Sequence, residues 1–390
     1  MRTERQVLTS IEAARGVAAS AVVLCHIGTV LGDPFGGMLR AGHAGVDFFF
    51  VLSGFTIVTV HREDVGRAPL LLDYAWKRLV RIYPIYWIAT WGAVGLSSVG
   101  IMELSDTGAG RIFTSLLLVP QHAEPILGVA WTLQHEMLFY LTFGVLILNR
   151  AFGIIAFAVW ACFVLAVMPW APTDSPWTHT DLLTGFVGSS YNLEFGLGIA
   201  VAMVTKRFQV PRPSMLSALG VTGLLLAGAA ENAGQISYLG HTARAMFGVS
   251  SALAIWGLAA SERAGGVRAG RFLVVMGSAS YATYLVHVPI LNGASSFAVV
   301  KLLPAGIRVV ALAAVAMASG LLFHAAVERP LLHFLRRLRP HKVTISSTPI
   351  STASIRDTIC DSDTSSCGAK FHPHQPEWSR RASPLFPQTR

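Results

Sequence analysis

Charge is scarce in this chain. Only 13% of its 390 residues are Asp, Glu, Lys or Arg, whereas 53% are hydrophobic and the mean hydropathy is +0.55. A soluble domain carries about 25% charged residues, so a globule of this size could not coat itself for water. That excludes a soluble enzyme and points to a chain embedded in a bilayer. Cysteine is scarce too. Cys25, Cys162, Cys360 and Cys367 form no C-x-x-C pair, so they are read as inert thiols, not as a zinc or redox framework. No H-E-x-x-H occurs, since His135 and Glu136 are adjacent, and no metal is expected. Ser53, in FVLSGF, lacks the strand–turn–helix setting of a nucleophile elbow and is read as structural. A cleavable signal is missing as well: Glu12 and Arg15 interrupt the pattern, so the first apolar segment is expected to be a retained span. The basic excess, thirty Lys and Arg against twenty-one Asp and Glu, is read in so apolar a chain as a topology signal, with no nucleic-acid partner.

Apolar runs are plentiful. With about 20 residues per crossing, ten windows are predicted to span: 11–31, 44–60, 82–101, 131–149, 152–170, 185–205, 214–230, 242–260, 272–297 and 306–327. The stretch 111–120 is too short to cross and reads as re-entrant or interfacial. Ten spans put both termini on one side. Nineteen basic residues fall on that side and five on the other, which makes the N-terminal side cytoplasmic. The expectation is therefore an all-α, polytopic membrane helix bundle occupying residues 1–342. Residues 343–390 differ: fifteen of 48 are Ser or Thr and five are Pro, so a disordered cytoplasmic tail is expected there.

Ionisable groups inside spans are expensive and mark function by default. Arg15 and His26, eleven residues apart, share one face of the first helix, about 16 Å apart along its axis. Asp47 near the start of the second span, Glu136 in the fourth with Tyr140 one turn on, and His287 in the ninth are expected at a depth similar to that of His26. Arg15, Lys77, Arg78, Arg81 and Glu328–Arg329 form a second, cytoplasmic set. Two layers result: an inner basic ring suited to an anionic, phosphorylated molecule, and an outer His and carboxylate cluster suited to proton transfer. Each element also has a plain counterpart. Lys77 to Arg81 equally serve topology, His287 equally bonds a backbone carbonyl, and Asp47 equally caps its helix. His43, His61, His122, His135, His179, His241 and His324 stay in the background.

These residues resemble the membrane-bound acyltransferase-3 family. The resemblance rests on IEAARGVAASAVVLCH (11–26) with its Arg-x10-His signature, GHAGVDFFFVLSGFTI (42–57), WKRLVRIYPIYW (76–87), WTLQHEMLFY (131–140), SYATYLVHVPI (280–290) and VERPLL (327–332). The six blocks occur in order over residues 11–332. Ala14 stands where the family usually has a larger apolar residue, and no periplasmic esterase-like domain of the kind often appended is included. The resemblance implies a bacterial inner-membrane enzyme that places an acyl group, often acetyl from acetyl-CoA, on a sugar hydroxyl of a glycan. It maps the family's functional residues onto His26 and Arg15, its basic pair onto Arg78 and Arg81, and its Glu near the last span onto Glu328.

The expected mechanism follows from the two layers. Acyl-CoA, as co-substrate and not as a resident cofactor, would be held through its phosphates by Arg15, Arg78 and Arg81, with Glu328 nearby. Its thioester would reach His26, the general base on an acceptor hydroxyl, with Glu136 or Asp47 assisting. Tyr140, His287 and Trp131 would contact substrate. Direct transfer is favoured over a covalent intermediate, because Cys25 points about 100° away from His26. The acceptor is expected to be an exopolysaccharide, lipopolysaccharide or lipid-linked saccharide, with a macrolide as alternative. A proton-coupled transporter or flippase is the competing class, although no inverted repeat is found between the halves.

Overall fold

The computed structural model describes residues 8–104, 107–170, 182–266 and 269–338, so the expected tail, 343–390, lies outside the described residues. These residues form helices and turns, with no strand among them. In chain order the helices are α1 (Thr9–Val30), α2 (Ala44–His61), α3 (Leu71–Ser98), the short α4 (Ala109–Leu116), α5 (Trp131–Leu148), α6 (Arg150–Val167) and α7 (Tyr191–Arg207). They continue with α8 (Pro213–Asn232), α9 (His241–Arg263), α10 (Arg271–Ser278), α11 (Ser280–Ser296), the single turn α12 (Ala298–Lys301), α13 (Ala305–Phe323) and α14 (Arg329–Arg337). Among the described residues, seven helical segments are long and apolar enough to cross a membrane, or eight if the bent pair α10–α11 counts as one, fewer than the ten windows expected. α3 and α5 are as long but carry more polar residues, among them Arg78, Arg81 and Glu136.

Small residues set how closely the helices meet, as expected where lipid offers no hydrophobic drive for association. α2 crosses α7 at Gly54 and Gly198, and a Cβ on Gly198 would lie 1.9 Å from the Val51 carbonyl oxygen. α1 meets α10 at Gly16 and Gly277, where a Cβ on Gly277 would lie 1.7 Å from the Glu12 carbonyl oxygen. The first turn of α1 has no cap of its own. Glu262, at the end of α9, supplies one by accepting from the Thr9 and Ser10 backbone N–H groups at 2.7 and 2.8 Å. A carboxylate at a helix N-terminus satisfies orphan donors and complements the macrodipole.

Two of the expected spans depart clearly from the sequence reading, each for a physical reason. The third span, expected at 82, begins at Leu71, because Asp73 and Lys77 pair at 2.7 Å across one turn and continue the helix through a charged segment. The ninth, expected as one run over 272–297, bends by 68° between Ser278 and Ser280, in the Gly–Ser–Ala–Ser stretch that packs on α1. The segment around 111–120 folds back against the middle of α3. Its last carbonyls, at Ser115, Leu116 and Leu117, accept from Tyr86 hydroxyl (2.7 Å), Trp87 Nε1 (2.9 Å) and Tyr83 hydroxyl (3.0 Å). Tyr86 is twelve residues, about 18 Å, from the far end of α3, so this segment is re-entrant. Apolar surroundings demand that every such carbonyl find a partner, and α3 provides three aromatic donors.

Candidate active site

A cavity of about 220 Å³ lies among α1, α2, α3, α5 and α11. Arg15, Arg78 and Arg81 line it, whereas Lys77 and Arg329 of the expected cytoplasmic set do not. The Gly16–Gly277 contact fixes α1 against α10 and so places the neighbouring Arg15, which Glu12 holds at 3.0 Å. Arg81 Nη1 donates to Glu328 Oε1 at 2.6 Å, and its guanidinium covers the Tyr281 ring at 5.1 Å. Glu328 is fully buried, and its other oxygen accepts from His324 Nδ1 at 2.7 Å. A π-helical turn over His324–Glu328 aims both side chains inward. Glu328 therefore positions Arg81 from behind and is not itself on the cavity wall. Arg78 differs from the other two arginines. It lies over the Tyr140 ring at 5.7 Å, pairs with no carboxylate among the described residues, and leaves its buried Nε without a hydrogen-bond partner.

Glu136 faces this cavity and not the histidines. Its Oε1 accepts from the Tyr140 hydroxyl and, at 3.3 Å, from Ser53 Oγ. The expectation of a common depth for Glu136 and His26 is corrected here. α5 starts only at Trp131, after the segment that folds back on α3, so Glu136 is twelve residues (about 18 Å) from the end of α5 at Leu148. Arg81 is ten residues, about 15 Å, from the start of α3, which brings the two to one level. His26 is seventeen residues, about 26 Å, along α1. Carboxylate and guanidinium groups thus share the inner chamber.

Away from this cavity lies a histidine pair. His287 Nε2 lies 3.3 Å from His26 Nδ1, the rings meet edge to face, and their centroids are 4.8 Å apart. His287 is fully buried and also bonds the Tyr284 and Thr283 carbonyls, which is the plain counterpart read from the sequence. Neither histidine lines the cavity. Tyr284 does, one turn before His287 on α11, and its hydroxyl meets Thr132 Oγ1 at 2.9 Å.

Two expected site residues are placed elsewhere. Asp47 is not brought to His26, because Arg244 takes both of its oxygens at 2.7 Å. Trp131 belongs to an aromatic cluster with Phe50, His135 and Tyr191 and does not reach the cavity wall. The Asp47–Arg244 pair extends into a buried network that the sequence reading did not assemble. Arg244 Nη2 donates to His43 Nδ1 at 2.9 Å, so the His43 proton sits on Nε2 and is donated to Glu231 at 2.6 Å. Glu194, 2% exposed, lies within electrostatic reach. Arg244 stands one turn into α9, within the window 242–260. Its 2% exposure in an apolar bundle, which no sequence pattern reports, is what demands a partner. His324 was likewise left in the background, although its i, i+4 spacing to Glu328 was a readable signal.

The exopolysaccharide production protein ExoZ of Rhizobium meliloti (strain 1021) is 30% identical over 322 residues, covering 78% of this chain and 92% of that protein. The acyltransferase MdmB of Streptomyces mycarofaciens is 28% identical over 373 residues, covering 85% of this chain and 94% of that protein. No solved structure matches the chain. The acyltransferase domain of the acyltransferase-3 family matches residues 8–325, a range that contains Arg15, His26, Arg78, Arg81, Glu136 and His287. That match sets the transporter reading aside: the chain belongs to the acyltransferase-3 family and is a multi-pass membrane acyltransferase that transfers groups other than aminoacyl groups.

Proposed function

We propose that this protein is an O-acyltransferase of the bacterial inner membrane, with about ten spans and both termini cytoplasmic. It moves an acyl group, acetyl favoured, from cytosolic acyl-CoA to a hydroxyl of a cell-surface or exported glycan. The observation that carries this reading is Arg78, a guanidinium on the cavity wall that forms no direct ion pair among the described residues, although Glu136 lines the same cavity. A phosphate of CoA would supply that charge through charge-assisted hydrogen bonds, with Arg15 and Arg81 beside it. The N-terminal parts of α1 and α3 build this wall, and the excess of basic residues lies on the same side of the chain.

From the cavity the pantetheine arm would carry the thioester outward past Tyr284 and Thr132, whose hydrogen bond has to open for passage. His26, beyond them, would act as general base on the acceptor hydroxyl. Glu136, Ser53 and Tyr140 form a polar wall for the donor's amide groups. A glycan acceptor is favoured because one relative is named for exopolysaccharide production.

The test is transfer of label from radiolabelled acetyl-CoA to a panel of glycans by purified protein in detergent, where no ion gradient exists. Label on a glycan from the wild type, lost in His26→Ala and His26→Gln, is the expected result. Wild-type rates from both variants would remove His26 as the base.

A further inference from the structure

We propose that His287 is a positioning residue that fixes the tautomer of His26 and leaves His26 Nε2 as its basic nitrogen. The proposal rests on the reading of His26 as base given above. It starts at the far ring. His287 Nδ1 lies 2.8 Å from the Tyr284 carbonyl oxygen and 3.2 Å from the Thr283 carbonyl oxygen. Carbonyl oxygens only accept, so Nδ1 carries the hydrogen, and in the neutral ring Nε2 holds the lone pair. No carboxylate pairs with either ring among the described residues, so nothing compensates a buried imidazolium at His287.

That lone pair faces His26 Nδ1 at 3.3 Å, and the Val22 carbonyl oxygen faces the same nitrogen at 3.0 Å. Two acceptors converge on one nitrogen of His26. Nδ1 must therefore carry its hydrogen, and Nε2 is bare. A catalytic carboxylate does this job in the serine hydrolase triad, by holding the imidazole in the right tautomer and stabilising its protonated form. Within the bilayer such a carboxylate would itself need a counter-charge. A neutral imidazole locked by two backbone carbonyls orients its partner with no net charge. In the transfer, His26 Nε2 takes the proton of the acceptor hydroxyl as that oxygen bonds to the thioester carbonyl carbon. As the C–S bond breaks, the proton passes to the departing sulfur, which gives the ester and free CoA thiol. His287 ends unchanged.

The experiment has two arms on the full chain in detergent. In the first, ¹⁵N shifts of histidine-labelled protein are assigned by difference spectra with His26→Gln and His287→Gln. The expected spectrum shows His26 protonated at Nδ1 and bare at Nε2, and the opposite pattern overturns the proposal. In the second, acetyl transfer is measured with the glycans that the wild type labels. His287→Leu is expected to lower kcat about 100-fold or more with the KM for acetyl-CoA unchanged. His287→Gln, whose amide oxygen can accept from His26 Nδ1, should recover most of that loss. A wild-type kcat in His287→Leu overturns this proposal alone if His26→Ala is inactive. A wild-type rate in His26→Ala overturns the base assignment itself.

Discussion

Arg78 lies over the Tyr140 ring at 5.7 Å on the cavity wall and forms no direct ion pair among the described residues, while Glu136, bonded to the Tyr140 hydroxyl, lines the same cavity. A ring face attracts a cation without neutralising it. On the proposed reading, a phosphate of CoA pairs directly with this guanidinium. Arg78→Ala is expected to raise the KM for acyl-CoA by about tenfold or more, from loss of about 1.5–3 kcal/mol of charged hydrogen bonding, with kcat little changed. Arg78→Lys should restore part of the loss, because an ammonium answers the charge without the planar fork. Steady-state kinetics with varied acetyl-CoA measures both.

Glu328 has a different weight. It is fully buried and shared by Arg81 and His324. Glu328→Ala leaves two donors unpaired and should cost about 3–5 kcal/mol of stability. Arg81→Ala with Glu328→Ala together should cost less than the sum of the singles. A double-mutant cycle on thermal unfolding in detergent reads the coupling.

Asp47 separates stability from chemistry. Because Arg244 occupies its carboxylate, Asp47→Ala should reduce the folded yield and lower stability by about 3–5 kcal/mol. The acyl transfer rate per folded molecule should be nearly unchanged. Activity normalised to folded protein by size-exclusion chromatography decides it, and a large loss per folded molecule would return Asp47 to the catalytic site.

Gly277→Ala places a Cβ 1.7 Å from the Glu12 carbonyl oxygen, so α1 and α10 have to part. Overpacking of this kind costs about 1–3 kcal/mol, and it also displaces Arg15, so donor affinity should fall together with stability. Gly196→Ala, with open space around its Cβ, is the matched control and should be neutral. Thermal unfolding and acetyl-CoA titration of both variants give the comparison.

Much of this was legible in the sequence where a signal is local. Hydropathy marked the spans, and helical spacing put Arg15 and His26 on one face. The short segment near 111–120 announced itself by being too short to cross. What failed was depth. The depth of Glu136 depends on where α5 starts, and that depends on a re-entrant segment held by Tyr83, Tyr86 and Trp87, partners on another helix. Long-range pairings failed too: Arg244 and Asp47 are 197 residues apart, and neither local pattern names the other. Buried charge pairs are satisfied by tertiary contact, so a residue that reads as catalytic from its cost alone can be spoken for by a distant partner.

Thr56, exposed within the cavity, offers the most direct test of the account's central claim, that this chamber takes acyl-CoA from the cytosol. With the four native cysteines replaced, Thr56→Cys would be probed by a membrane-impermeant maleimide in sealed vesicles of each orientation. The account predicts labelling from the cytoplasmic face alone, and protection by added CoA that disappears in an Arg78→Ala background. Labelling from the opposite face, or labelling that CoA does not slow, would contradict it.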